Sequence, residues 1–195
     1  MAAVGLIVTA GLALAACGGN QSGSSGGMAG MDHGGSSQSA TPTGKDLDKA
    51  FLQGMVPHHQ AAIDMAQAEV RKGKDLRVKE MAQAVITDQT REQGEMDQIA
   101  KQTFGVTPAR SMTGATGQLM GVPITMDMSK MGSEVDTAAD PDQTFLRLMI
   151  PHHATAISMA DEEARNGATE PVKSIARGIV AAQAREIGQM QALLG

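Results

Sequence analysis

Aromatic residues are almost missing from this chain of 195 residues, which has three Phe, no Tyr and no Trp. Sandwiches and barrels lean on aromatic and β-branched side chains, so this poverty argues for close-packed helices instead. An excess of positive charge is missing too. The net charge is −5 with the signs intermixed, which leaves no basic face and argues against nucleic acid as a partner. Cysteine occurs once, at Cys17. What the chain has in quantity is methionine, fifteen residues in all, within a hydrophobic content of 42% that is enough for a core. Adaptable core filling explains Met on helices. It does not explain Met in Gly-rich loops, where the sequence suggests no core to fill.

The single cysteine is read through its neighbours. Residues 1–16 are small and apolar and end in Leu14-Ala15-Ala16 before Cys17. A short apolar run closing on small residues is the pattern of a secretory signal peptide. It falls short of the roughly 20 residues that a spanning helix needs. Leu-Ala-Ala-Cys resembles the lipobox of bacterial lipoproteins, which implies a diacylated Cys17 at the mature N-terminus. Two acyl chains give stable anchoring. The expectation is an exported protein held on the extracytoplasmic or periplasmic side of a membrane through Cys17. Residues 17–44, rich in Gly and Ser, read as a flexible tether. Within it, Met28, Met31 and His33 put two thioethers and an imidazole within six residues, a catch for a soft metal.

Four of the five histidines lie in a stretch that the chain states twice. Met55-Val-Pro-His58-His59 continues to Ile63-Asp-Met65-Ala66, and Met149-Ile-Pro-His152-His153 continues to Ile157-Ser-Met159-Ala160. Residues 51–96 slide onto 145–190 without a gap, and about 21 of the 46 pairs are identical. A gapless match of that length is an internal duplication. Each copy reads as a helical hairpin. The first runs from Asp46, as N-cap, to Gly73, then from Asp75 to Lys101; the second opens at Asp140-Pro141, turns at Gly167 and resumes at Thr169-Glu170-Pro171. Pro57, inside the first helix, is expected to kink it.

At 100° per residue, Phe51, Met55, His58, Ala62, Met65, Ala66 and Glu69 form one stripe, with His59 on its shoulder. The partner stripe is Val78, Met81, Ala82, Val85, Gln89, Glu92 and Met96. Neither hairpin could bury its stripe alone. The two are therefore expected to associate as an all-α four-helix bundle with a pseudo-twofold axis, repeat one at 46–101 and repeat two at 140–195 within a domain of 45–195. The intervening 103–139 reads as a Met-rich linker without strong structure, containing Met126, Met128 and Met131.

Polar residues on an apolar stripe need partners. One reading pairs His58 with Glu69 and His152 with Glu163, as hydrogen bonds that specify the bundle. The other makes the repeated histidines metal ligands. Met55, His58, His59 and Met65, and again Met149, His152, His153 and Met159, offer imidazole and thioether, a set that suits Cu(I) and by the same softness Ag(I). The methionines of tether and linker, for which the sequence shows no packing need, favour the metal.

These motifs, Met-(Val/Ile)-Pro-His-His, Ala-Ile-x-Met-Ala and Gln-x-Arg-Glu, resemble the bacterial domain of unknown function 305, over essentially all of residues 46–195. The resemblance implies a ferritin-like four-helix bundle, export, and copper binding by the His and Met of the motifs, with a role in copper homeostasis or resistance and transfer to another copper-handling protein. An enzyme is the alternative. His58, Glu69 and Glu92 with His152, Glu163 and Glu186 could be two halves of a di-metal oxidoreductase. No Glu-x-x-His occurs, however, and Glu69 lies about 16 Å along the axis from His58 at 1.5 Å per residue. No catalytic residue is therefore assigned. A third class is a structural or partner-binding bundle of the cell envelope without metal.

Overall fold

The computed structural model describes residues 42–111 and 117–195. Cys17, Met28, Met31 and His33, and with them the signal peptide and tether, lie outside the described residues. Helices α1 (Gly44–Lys72) and α2 (Leu76–Phe104) form the first hairpin, and α4 (Pro141–Asn166) and α5 (Glu170–Leu194) the second. Each hairpin packs internally, and α1 lies against α4 at the centre of a four-helix bundle. Between the hairpins come strands β1 (Gly117–Leu119) and β2 (Val122–Ile124), paired antiparallel, and the short helix α3 (Met131–Thr137).

The caps follow the sequence with small changes. Asp75 and Asp140 accept the backbone N–H of Arg77 and Gln143, as N-caps do. Thr43, not Asp46, precedes the first helix, and Asp46 sits in its first turn, where a negative charge suits the helix dipole. Helix α1 passes through Pro57 without a break, so the expected kink does not interrupt it. Beside the proline, Gln93 of α2 donates to the Val56 carbonyl at 2.9 Å.

Both predicted stripes are buried, apart from a half-buried Met81. The core is not continuous, however. One apolar cluster gathers Met65, Ala66, Val85, Phe145, Met149 and Met190, and the other Phe51, Met55, Met96, Met159, Ala160 and Ile179. The clusters exchange under the 94-residue offset, and the histidines lie in sequence between their contributions.

The linker corrects the sequence reading. It is not structureless: α3 packs on α1 and α4, and β2 reaches α4. Met128 and Met131 are buried with Ile124 and Val135 against Ala61 and Ala68 of α1, and Met126 packs against the same cluster half-buried. Met120 fills the other cluster. These methionines have the core to fill that the sequence did not suggest, so their number is no argument for metal. Small residues on α1 make the difference: Ala61 and Ala68 leave room for a covering layer, whereas their counterparts Thr155 and Glu162 on α4 are polar and stay half-buried.

Two related clasps join the hairpins end to end. Asp142 of α4 accepts the backbone N–H of Lys74 and, at 2.8 Å, of Asp75 in the first turn region. Asp48 of α1 accepts the N–H of Ala168 at 2.8 Å and the Thr169 hydroxyl. Each aspartate meets a buried glutamic acid, Glu69 beside Asp142 and Glu163 beside Asp48. Burial first, then the adjacent aspartate, pushes both glutamates up to about 8. Gly73 and Gly167 have extended, not left-handed, backbones. They are glycine because a β-carbon would overlap the Glu69 or Glu163 carboxyl, and at Gly167 would come within 2.7 Å of Asp48 Oδ1.

Two outcomes follow. Gly73→Ala or Gly167→Ala should destabilise the bundle by about 1–3 kcal/mol through overpacking, read as a lower midpoint in thermal or urea unfolding followed by circular dichroism. The clasps should also make stability fall with rising pH. Glu69 and Glu163 bind their protons more tightly folded than unfolded, so their contribution is complete below about pH 4.5 and is lost as pH rises through about 8. Lys79 and Lys173 oppose the shift, Asp140 and Glu162 add to it. A double variant Glu69→Gln, Glu163→Gln should flatten the melting temperature across that window. An unchanged slope would rule the clasps out as its source.

Candidate metal centre

Consecutive residues on a helix point about 100° apart, so the two histidines of each pair serve different neighbours. His58 faces α4 and His152 faces α1, and their rings meet with centroids 3.8 Å apart and planes tilted by 36°. His59 faces α2, where its Nε2 lies 2.9 Å from Glu92 Oε2. His153 faces α5, with Nε2 2.6 Å from Glu186 Oε2. All four imidazoles are fully buried.

The carboxylate partners fix a tautomer. An ionised carboxylate only accepts, so Nε2 of His59 and of His153 carries the hydrogen, and a neutral ring leaves Nδ1 as a bare lone pair. Both Nδ1 atoms are buried without a hydrogen-bond partner among the described residues. So are both nitrogens of His58 and of His152, and the side-chain amides of Gln89 and Gln183, which precede the two glutamates by three residues on α2 and α5. Burial holds His58 and His152 well below the ordinary imidazole range, and the neighbouring histidines reinforce this by disfavouring a second positive charge. The middle of the bundle is thus a histidine layer, neutral at His58 and His152, between two apolar clusters. Such a layer can give lone pairs to a cation.

The structure divides the remaining sequence-predicted residues. Met55, Met65, Met149 and Met159 are all fully buried, but they regroup across the repeats: Met55 shares a cluster with Met159, and Met65 with Met149. One pair of thioethers therefore belongs to the apolar cluster on either side of the histidines. Met128 borders small cavities with Pro57, Ala61 and Asp64, on the outer face of α1 rather than the one that bears His58. The linker set Met126, Met128 and Met131 is not brought to the histidine layer. Nor does His58 pair with Glu69 or His152 with Glu163: those glutamates lie at the hairpin ends beside the clasp aspartates, and their carboxyl oxygens too are buried without a hydrogen-bond partner among the described residues. Among the described residues no three His, Cys, Asp or Glu side chains cluster as a metal site by themselves. An ion here would need the thioethers or a low coordination number, as Cu(I) and Ag(I) accept and Ca²⁺ or Mg²⁺ does not.

Sequence reasoning missed the aspartate side of the clasps and the pairing of each second histidine with a glutamate. The aspartates carried a signal. Asp48 and Asp142 obey the same offset of 94, three residues upstream of the aligned window.

Fold and site together define a duplicated helical-hairpin bundle with a buried histidine layer. A family model described as Domain of unknown function (DUF305) matches residues 12–100 and again 101–194. The chain belongs to the DUF305 family. A solved structure described as CopM in the Cu(II)-bound form is 33% identical, with a TM-score of 0.64 over 75% of this chain and 95% of that one. CopM in the Cu(I)-bound form is 32% identical, with a TM-score of 0.63 over 75% and 94%. A DUF305 fragment from Deinococcus radiodurans, 23% identical, shares the fold with a TM-score of 0.65 over 79% and 99%. Among curated proteins, uncharacterized protein L153 of Acanthamoeba polyphaga mimivirus is 44% identical over 52 residues, which are 27% of this chain and 34% of that one. The chain therefore spans about a third of that relative's length.

The tautomers are open to direct measurement. Two-bond ¹⁵N correlation spectra should show a hydrogen on Nε2 of His59 and of His153, and at pH 7 His58 and His152 neutral. Glu92→Gln should release the first of these constraints without touching the second. A charged His58 at pH 7 would contradict the layer as described.

Proposed function

We propose that this protein is an exported metal-binding protein that holds Cu(I), and by the same chemistry Ag(I), at its histidine layer. The supporting observation is the buried meeting of His58 and His152, neutral and with all four nitrogens unpartnered among the described residues, each next in sequence to a histidine whose Nδ1 is likewise unpartnered. A rotation of the two central rings would aim one nitrogen of each at a single ion. Glu92 and Glu186 hold the outer rings by their Nε2 hydrogens, the arrangement by which carboxylates orient histidine ligands. Met55, Met65, Met149 and Met159 supply the soft donors nearest in sequence. CopM, about a third identical along nearly its whole length, has been solved with Cu(I), Cu(II) and Ag bound, and that likeness supports a metal-binding role here.

The reading is of a carrier or buffer and not an enzyme. Glu69 and Glu163, which a di-metal oxidase centre would need, are engaged in the clasps at the hairpin ends. Attachment to a membrane through a lipidated Cys17, and delivery to or from another copper-handling protein, complete the proposal. Tether residues Met28, Met31 and His33 would then be a first contact for the ion. Met suits an oxidising compartment because, unlike Cys, it does not form disulfides.

The deciding experiment titrates the protein with Cu(I) against a chromophoric chelator, beside the variant His58→Ala, His59→Ala, His152→Ala, His153→Ala. Tight binding is expected in the parent and its loss in the variant, with helicity by circular dichroism retained. Glu92→Gln should weaken binding by about 10–100-fold, as the loss of a carboxylate behind a ligating histidine does. Equal affinity in parent and quadruple variant would remove the histidine layer from the site. No competitive binding by the parent would leave a structural bundle.

A further inference from the structure

A buried site needs a way in. Between α2 and α5 a groove of about 450 Å³ opens to solvent, and among its lining residues are Arg91, Glu92, Glu95, Gly178 and Arg185. Glu92 faces both ways. Its Oε2 lies 2.9 Å from His59 Nε2 and its Oε1 3.3 Å from Arg91 Nη2. A single side chain thus separates the groove from the histidine layer.

The surroundings of that side chain are acidic on one repeat alone. Arg91 lies 2.8 Å from Glu95 and 3.9 Å from Asp88 as well as beside Glu92, so three carboxylates share one guanidinium. In the second repeat Arg185 and Glu186 are kept, but the counterparts of Asp88 and Glu95 are Ala182 and Gln189. The groove related by the duplication, lined by Met81, Ala84, Gln189 and Leu193 among others, lacks this acidic cluster, although Glu186 is itself slightly more exposed than Glu92. A symmetric core has no use for this difference in charge, whereas a mouth that attracts a cation does.

We propose that the groove between α2 and α5 is the port through which a soft monovalent cation enters and leaves the histidine layer, with the Arg91–Glu92 pair as its gate. This rests on the metal-binding reading above. The carboxylates Asp88, Glu92 and Glu95, which outnumber Arg91 and Arg185, draw the cation in, and Glu92, released by Arg91, receives it next to His59. Because entry and exit share one path, an obstacle in the groove slows both and leaves the affinity unchanged.

Gly178 allows the obstacle to be built. A β-carbon there meets nothing within 4 Å, and the same is true of Gly188, which lies on α5 away from the groove lining and serves as control. The protein loaded with Cu(I) alone is mixed with excess chromophoric chelator, and the coloured complex is followed by stopped flow; equilibrium partition is measured in parallel. Gly178→Phe should slow release and uptake by about tenfold or more at unchanged affinity, while Gly188→Phe should match the parent, with both variants checked for helicity. Asp88→Asn with Glu95→Gln should slow uptake at low salt by about tenfold, with the difference gone at high salt. Release from Gly178→Phe at the parent rate would overturn the port and leave the metal site standing. A parent that holds no Cu(I) overturns both.

Discussion

The bundle is organised around the contact of His58 with His152. Two imidazoles packed at 3.8 Å in a fully buried place cannot both be charged, and burial makes even one charge unfavourable. They are therefore held as neutral groups whose nitrogens find no hydrogen-bond partner among the described residues. Every other feature near the axis accommodates that choice. Second histidines turn outward to carboxylates, apolar residues withdraw into two clusters, and the methionines of the motif divide between them.

A core split in this way has less apolar contact across its middle, and the clasps at the hairpin ends provide compensating attachment. Asp48 and Asp142 each reach into the turn of the opposite hairpin, so repeat one closes repeat two and the reverse. Their contacts explain Glu69, Gly73, Glu163 and Gly167 together, residues whose identity in both copies has nothing to do with the histidines. Duplication copied both the layer and the means of holding it. Divergence then fell on the outside: only α1 has small residues where the linker packs, and only α2 has three carboxylates about its arginine.

Much of this was legible in the chain. Every residue that periodicity named on α1, and all but Met81 on α2, is buried, although α1 also buries residues outside the stripe such as Leu47, Val56, Ala61 and Ala68; caps placed the helix ends within a few residues, and the offset of 94 gave the pairing of hairpins. What periodicity gives is a face; it does not name the partner across it. Glu69 and His58 share a stripe, which made their pairing reasonable, yet three turns of helix carry Glu69 to the end of the bundle and into the reach of Asp142. The linker failed for another reason. Gly-rich segments show no stripe of their own, and the evidence that 120–137 would fold lay elsewhere, in the contrast between Ala61 and Thr155 and between Ala68 and Glu162. Comparing the two copies at their outward positions would have exposed an extra buried face on α1.

The composition of the layer also bears on what it is for. A bundle of this design would gain stability if His58, His152, Gln89 and Gln183 were replaced by apolar residues of similar volume, since each buried polar group without a partner costs about 1–3 kcal/mol. Folded domains have only about 5–15 kcal/mol in total, so a handful of such groups is a large sacrifice. A hydrogen-bonded network could offset it, but the carboxylates close at hand are turned to His59 and His153, and the remaining ones stand in the clasps. A ligand that takes lone pairs from neutral nitrogen and sulfur recovers the loss and returns it as binding energy, because whatever binds only the folded state stabilises it in proportion to its occupancy. Stability left unrealised in the empty protein thereby becomes affinity for the ion.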